Sequence, residues 1–150
     1  ASFELVLATD IIEHVNEDAD ALREIWRVLA PGGRVLITVP AFESLWGLQD
    51  ERSAHVRRYR MKPLLQRVES SGLEPLTHYY FNYLLFVPIW LARRAIDLFK
   101  VNLDSENEVN SPALNRLLSA IFRLDVSTAR LVRPPFGVSA LVVAKKAVHR

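Results

Sequence analysis

Residues 3–40, FELVLATDIIEHVNEDADALREIWRVLAPGGRVLITVP, decide the fold of this chain. They begin with a short apolar run at 5–8, which is typical of a strand covered on both faces. An acidic turn follows, and apolar residues then recur at helical spacing between 22 and 29. A Pro-Gly-Gly tripeptide at 31–33 is predicted to stop that helix before a second buried strand at 35–39. A strand, a crossover helix and a strand in this length predict a parallel βαβ unit.

The composition suits one folded domain, because the chain has 150 residues and half of them are hydrophobic. The absence of cysteine excludes disulfides and thiolate zinc sites and fits a reducing compartment. No basic signal-peptide segment is seen, so we expect a cytoplasmic protein. A βαβ unit of this kind belongs in the middle of a domain, yet here it starts at Ala1 without an initiator Met. We therefore expect a fragment or a processed boundary.

Charge is unevenly placed along the chain. Residues 1–50 carry a net charge of −6, from three bases and nine acids, and the remainder carries +8, from 16 bases and eight acids. A basic second half is compatible with an anionic substrate, a nucleic acid, a lipid surface or simply a solvated face. We do not expect nucleic acid, because the arginines are dispersed over several elements and no RNA-binding motif is present.

The rest of the chain predicts further elements around a charged, aromatic loop at 41–60, which reads as a functional loop. The segment 83–99 is strongly apolar, but its uninterrupted part is far shorter than the ~20 residues that span a bilayer. A second apolar stripe at helical spacing lies at 114–122, with arginines on other faces. The remaining predicted elements are a helix at 63–72, a strand at 73–81 and a final strand at 138–144.

The first group of candidate site residues follows the first strand directly: Thr9, Asp10, Ile11, Glu13 and His14. Ligands of open α/β sheets bind at the carboxyl ends of strands, so these side chains are expected beside a cofactor or substrate. Asp10, Glu13 and His14 are spaced i, i+3, i+4 and suit a divalent metal or acid–base chemistry. The alternative is that the carboxylates cap backbone donors and the imidazole packs against the next strand.

A second group lies in the 41–60 loop, where His55 precedes Arg57, Arg58, Tyr59 and Arg60. A histidine beside guanidinium groups can hold an anionic or hydroxyl-bearing substrate. A solvated basic loop with a packed tyrosine explains the same residues equally well.

These residues resemble the second half of the class I S-adenosylmethionine-dependent methyltransferases, of the type 11/12-like kind. FELVLATDIIEHV is similar to the fourth strand of that family and its following turn, ALREIWRVLAPGG to the next helix, and RVLITVP to the fifth strand. The run from LWGLQDERSAHVRRYR to LQRVESSGLEPL resembles the substrate-side loop, a helix and the start of the sixth strand. GVSALVVAKKA resembles the last, antiparallel strand.

The resemblance implies a partial doubly wound, Rossmann-like α/β sheet with the family's order 3-2-1-4-5-7-6 reduced to 4-5-7-6. It implies one incomplete domain over 1–150, with a sheet core at 1–81 and 136–147 and a helical insertion at about 82–134. The glycine-rich cofactor loop of the family has no counterpart among the five glycines of this sequence. We expect the edge beside the fourth strand to be open unless the missing half of the domain or a second copy covers it.

Carried over by position, the resemblance assigns cofactor binding to Thr9, Asp10 and Ile11. It assigns catalytic roles to His14 and His55, either of which is the candidate base. Substrate contacts are implied for three further residues, Glu13, Arg58 and Tyr59. In quinone-pathway members a similar acid-x-x-Glu-His arrangement is associated with a divalent metal, although many members without a metal carry it too.

The implied function is transfer of a methyl group from S-adenosylmethionine to a small-molecule, glycan or lipid-like acceptor, as O-methylation. The apolar stripes beside arginines suggest an amphiphilic acceptor at a membrane surface, although two helices burying those stripes against the domain would explain them as well. The alternative function is a catalytically silent interaction module that retains half of a methyltransferase fold.

Overall fold

The computed structural model describes residues 2–99 and 112–147. Two single turns of 3-10 helix, Ile12–His14 and Glu43–Leu45, accompany the longer elements. Those are β1 (Phe3–Thr9), α1 (Asp18–Val28), β2 (Leu29–Pro40), α2 (Leu48–Arg52), α3 (Met61–Ser70), β3 (Leu73–Phe81), α4 (Phe86–Phe99), α5 (Pro112–Val132) and β4 (Ser139–Lys146).

The four strands form one mixed sheet in the order β1-β2-β4-β3. Strands β1 and β2 are parallel, and β4 runs antiparallel to both β2 and β3. The carboxyl ends of β1, β2 and β3 therefore lie at the same edge of the sheet. In family numbering this order is 4-5-7-6, as the resemblance predicts, and the α/β class with one antiparallel strand is confirmed.

One face of the sheet carries the hydrophobic core. Fully buried side chains of α1 and α3, such as Leu22 and Leu64, join the same apolar cluster as Val35, Ile37 and Val142 of the sheet. Burying aliphatic side chains of this size stabilises a fold by roughly 1.5–3 kcal/mol each. The apolar stripes of α1 and α3 thus pack against one face of the sheet and form the core with it.

The outer edge and second face of β1 are open among the described residues. Phe3, Leu5 and Leu7 are more than half exposed, with Leu7 at 64%. Strand β1 pairs only with β2 in the described part of the chain. An exposed apolar edge strand is a surface on which further chain can pair.

The boundary between α1 and β2 differs from the sequence expectation. The helix ends at Val28, and β2 already begins at Leu29, so the Pro-Gly-Gly tripeptide lies inside the strand. The β1–β2 register shifts between Phe3 and Leu5 at that point. A side chain at Gly33 would lie 2.9 Å from the carbonyl oxygen of Phe3, so only glycine fits this bulge.

The C-terminal helices also extend the sequence expectation. The predicted stripe at 114–122 is part of a helix of 21 residues, and the loop at 41–60 contains the short helix α2. The two helices α4 and α5 lie within the segment expected as a helical insertion, of which residues 100–111 are outside the described residues. In the described residues, neither helix has the length and apolar character needed to cross a bilayer.

Candidate active site

The candidate site lies at the edge where β1, β2 and β3 end. Asp10 directly follows β1 and adopts a left-handed backbone, with φ of 52°. Its backbone N–H donates to the carbonyl oxygen of Thr38 at 2.9 Å, so the turn is fixed against β2. Thr9, Asp10 and Ile11 are exposed there, as a ligand-binding turn requires. Their cofactor role stays a prediction.

The 3-10 turn after Ile11 sends two neighbouring side chains to different depths. Glu13 is completely buried, whereas the His14 side chain is 37% exposed at the surface. The backbone carbonyl of Glu13 accepts a hydrogen bond from the N–H of Val56 at 2.9 Å. That bond holds the second group of candidate residues directly against the first.

The two histidines meet although 40 residues separate them in the sequence. Their ring centroids are 4.7 Å apart in an edge-to-face arrangement. The Nε2 atoms of His14 and His55 lie 3.9 and 4.0 Å from Oε1 of Glu13. The structure therefore unites the catalytic candidates of the two sequence groups in one cluster, and their role in catalysis stays a prediction.

Asp50 orients His55 from behind. Its Oδ1 lies 2.8 Å from Nδ1 of His55, whose other nitrogen consequently faces Glu13. Arg58 binds the same carboxylate with Nε and a terminal nitrogen, at 2.8 and 2.9 Å. Burial alone would raise the pKa of Asp50, but the hydrogen bonds from Arg58 and His55 outweigh it and keep that pKa below its usual value. The carboxylate is thus ionised, and Nδ1 of His55 is the donor.

Glu13 has the opposite environment. Neither of its carboxylate oxygens has a hydrogen-bond partner among the described residues. Burial raises the pKa of Glu13, and the nearby Asp10 acts in the same direction, while its own backbone amide and the two imidazoles act against it. A buried carboxyl group without a partner is rare and calls for an explanation.

Arg58 and Tyr59 have structural partners. The Arg58 side chain is almost completely buried between Asp50 and the carbonyl oxygen of Ala41. The Tyr59 hydroxyl donates to Asp18 at 2.9 Å, and burial followed by this bond raises the pKa of Tyr59. Both side chains therefore hold the 55–59 segment in place, and their predicted contact with a substrate stays a prediction.

Sequence reasoning missed Asp50 and Asp18 as organisers of the site. Asp18 accepts from Tyr59 and forms ion pairs with Arg57 and Arg67, at 2.8 and 3.0 Å. The arginines clustered next to His55 were the available signal for such carboxylates, because buried guanidinium groups need anionic partners. Spacing along the chain gave no indication of which carboxylates these would be.

Aromatic side chains line the neighbouring part of the edge. Phe42 follows β2 and contacts Tyr80 and Phe86, with ring centroids 5.0 and 5.5 Å apart. Phe86 in turn packs against Phe136 at 5.1 Å. An apolar wall of this kind is one usual component of a small-molecule site.

Comparison with known proteins agrees with this architecture. Residues 1–37 match the sequence family described as "Methyltransferase domain". The strand order and this segment together define a Rossmann-like methyltransferase fold. Residues 1–37 are thus similar in sequence to methyltransferase domains, and the described residues have the fold that the resemblance to class I methyltransferases implies.

Three solved structures illustrate the likeness. The cyclase SpnF shares 22% identity with a TM-score of 0.54, over 99% of this chain and 51% of that one. A methyltransferase from Thermotoga maritima shares 16% sequence identity at a TM-score of 0.55, and the match covers 97% of this chain and 56% of that one. Phosphoethanolamine N-methyltransferase 2 from Haemonchus contortus, in complex with S-adenosyl-L-methionine, shares 20% sequence identity at a TM-score of 0.50. That match covers 97% of this chain and 33% of the other. The chain thus spans about half the length of the first two, and identities this low concern the fold alone.

Proposed function

We propose that this chain contributes the acceptor-side part of an S-adenosylmethionine-dependent methyltransferase that O-methylates a small-molecule, glycan or lipid-like acceptor. The observation that carries the proposal is the convergence of His14 and His55 at the carboxyl edge of the sheet, beside the Thr9–Asp10–Ile11 turn. In α/β sheets this edge is where ligands bind. The cofactor is assigned to that turn, and the acceptor to the histidines and the aromatic wall.

The geometry suits the chemistry of methyl transfer. The reaction is an in-line displacement at a sulfonium, so the protein contributes mainly orientation, and a base if the acceptor is a hydroxyl group. We assign the base to Nε2 of His55, because Asp50 fixes its other nitrogen as a donor. His14 lies beside His55 and is the more exposed of the two, so an entering acceptor would contact His14 first.

The open edge of β1 implies a covering partner in the working enzyme. Phe3, Leu5 and Leu7 would be buried by further strands and helices of a methyltransferase domain, or by a second copy of the chain. The chain's span of about half of its structural relatives favours the first of these. The exposed turn at Asp10 would then become one wall of an enclosed cofactor pocket.

The acceptor is proposed to be amphiphilic and to be reached at a membrane surface. Helix α5 repeats an Arg-Leu pair every seven residues, at 116–117, 123–124 and 130–131. All three leucines are exposed, up to 87% for Leu131, so the arginines and leucines form adjacent stripes on the helix surface. Basic amphipathic helices of this kind bind anionic lipid surfaces. The proposal is therefore a protein that is cytoplasmic and associates with the membrane surface.

The membrane proposal predicts that the double variant Leu117→Asp, Phe122→Asp loses binding to anionic vesicles without unfolding. Leu117 is 56% exposed and Phe122 42%, so the substitutions remove apolar contact with lipid and disturb core packing less than a buried site would. Co-sedimentation with phosphatidylserine-containing liposomes measures the effect, with Ser119→Asp on the same helix as the charge control. Failure of the unmodified protein to co-sediment would eliminate the membrane proposal.

The alternative function is a catalytically silent interaction module. It is favoured by the absence, among the five glycines, of any glycine-rich loop after a strand. Such a loop normally lets backbone amides approach the cofactor. Measurement of S-adenosylmethionine binding separates the two, because a silent module has no reason to retain affinity for it.

A further inference from the structure

The buried carboxylate of Glu13 is the starting observation. Its exposure is 0%, and both oxygens lack a hydrogen-bond partner among residues 2–99 and 112–147. Burying a carboxyl group without a partner is unfavourable, more so as a charge than as a neutral acid. The proposed function gives no task to this side chain. A ligand that binds the oxygens from the open side of the site would supply the missing partner.

Three ligand atoms converge on that position. One oxygen of Glu13 and one nitrogen each of His14 and His55 all lie within 4.8 Å of one another. Ligands of a tetrahedral zinc ion, bound at about 2.0–2.2 Å, are roughly 3.4 Å apart. The Glu13–histidine separations of 3.9 and 4.0 Å therefore need to shorten by only about half an ångström. The two histidine nitrogens lie within 4.8 Å of each other, so this pair has to approach by up to about 1.4 Å, and the exposed side chain of His14 is the one that moves in the proposed site.

The surroundings of the cluster match those of a metal site. A metal-binding histidine usually donates its second ring nitrogen to a carboxylate, which fixes the ring. Here Nδ1 of His55 lies 2.8 Å from Asp50, which is itself held by Arg58 and by the backbone N–H of Gly47. His55 therefore already has the supporting carboxylate of a metal ligand, and no donor among the described residues reaches the oxygens of Glu13.

The ligand types indicate which ion fits. Two imidazoles and one carboxylate suit zinc and neighbouring transition ions, whereas magnesium and calcium prefer oxygen ligands. The His14 side leaves an open approach for a fourth ligand, as in zinc sites that bind a substrate oxygen. Asp10, which sequence spacing groups with Glu13 and His14, is not a member of this cluster, and His55 takes its place.

We propose that Glu13, His14 and His55 bind one Zn²⁺ ion, with Asp50 positioning His55. The inference rests on the three ligand atoms and the unpartnered carboxylate, and it holds whether or not the proposed methyl transfer is correct. If an ion is bound and methyl transfer also occurs, the ion would supply Lewis-acid polarisation of an acceptor oxygen, and Nε2 of His55 would be its ligand in place of the base role assigned under the proposed function.

The test is metal binding by the untagged, full-length, chelator-treated protein. Calorimetric titration with Zn²⁺ and visible absorption with Co²⁺ give affinity, stoichiometry and coordination without any need for activity. We expect one ion per chain. Glu13→Gln, His14→Ala and His55→Ala should each weaken binding by at least about 100-fold, and Asp50→Asn by roughly 10–100-fold. Glu13→Gln keeps the shape of the side chain, and the exposed His14 can be truncated without a cavity, so folded variants are obtainable.

His78→Ala is the matched control, because His78 is an exposed histidine of β3 outside the cluster. It should leave the affinity unchanged. Absence of stoichiometric Zn²⁺ binding by the unmodified protein would overturn the proposal. Binding that survives all three ligand substitutions, or that depends on His78, would overturn it as well. If the unmodified protein binds Zn²⁺ but shows no methyl transfer, that result would count against the proposed function alone.

Discussion

Asp50→Ala should lower the free energy of unfolding by about 3–5 kcal/mol, because it leaves the buried Arg58 guanidinium without its carboxylate. The Arg58 side chain is only 4% exposed, and Asp50 also accepts hydrogen bonds from His55 and Gly47. Removal of one partner from such a network strands the remaining charge and donors. Asp50→Asn keeps some of these bonds, so its loss should be smaller.

Urea denaturation of the full-length protein measures this change, with Glu51→Ala as the control. Glu51 is the exposed neighbour of Asp50 on the same short helix, and its removal should change stability by less than about 0.5 kcal/mol. A loss below about 1 kcal/mol for Asp50→Ala would show that the network around Asp50 does not hold the site together.

His55→Ala should reduce the turnover of methyl transfer by about 10²–10⁴-fold, the usual contribution of a positioned base. The effect should fall on kcat rather than on the KM for S-adenosylmethionine, because the cofactor is assigned to the Asp10 turn. The measurement is release of S-adenosylhomocysteine with an acceptor found by screening phenols, sugars and lipid vesicles.

His78→Ala again serves as the control and should keep full turnover. A His55→Ala enzyme with unchanged kcat would remove His55 from the chemistry. A change confined to KM would make His55 a binding residue instead of a base.

Local patterns predicted most of the sheet. The apolar run at 5–8 and the segment 73–81 became β1 and β3, since strand formation there depends on neighbouring residues and on burial. The Pro-Gly-Gly tripeptide was interpreted as a helix stop and is instead a strand bulge, because pairing of Phe3 with Leu29 draws it into the sheet. That pairing is a tertiary contact, and no local signal contains it.

The site was only partly predictable for the same reason. The carboxyl-end rule placed Asp10, Glu13 and His14 correctly at the edge of the sheet. The approach of His55 to His14 depends on the hydrogen bond between Val56 and Glu13 and on the pairing of Ala41 with Tyr59. Both bonds belong to a segment without periodicity. The burial of Glu13 and the role of Asp50 follow from those contacts, so they could not be predicted from the sequence.

Calorimetric titration of S-adenosylmethionine into the full-length protein tests the central claim, that the turn after β1 forms part of a methyltransferase cofactor pocket. The account predicts micromolar affinity that falls at least about tenfold, or 1.4 kcal/mol, in Asp10→Ala. It predicts no change in Glu4→Ala, which removes an exposed carboxylate from the opposite end of the same strand. Absence of binding by the full-length protein, or equal affinity in Asp10→Ala and the unmodified chain, would contradict it.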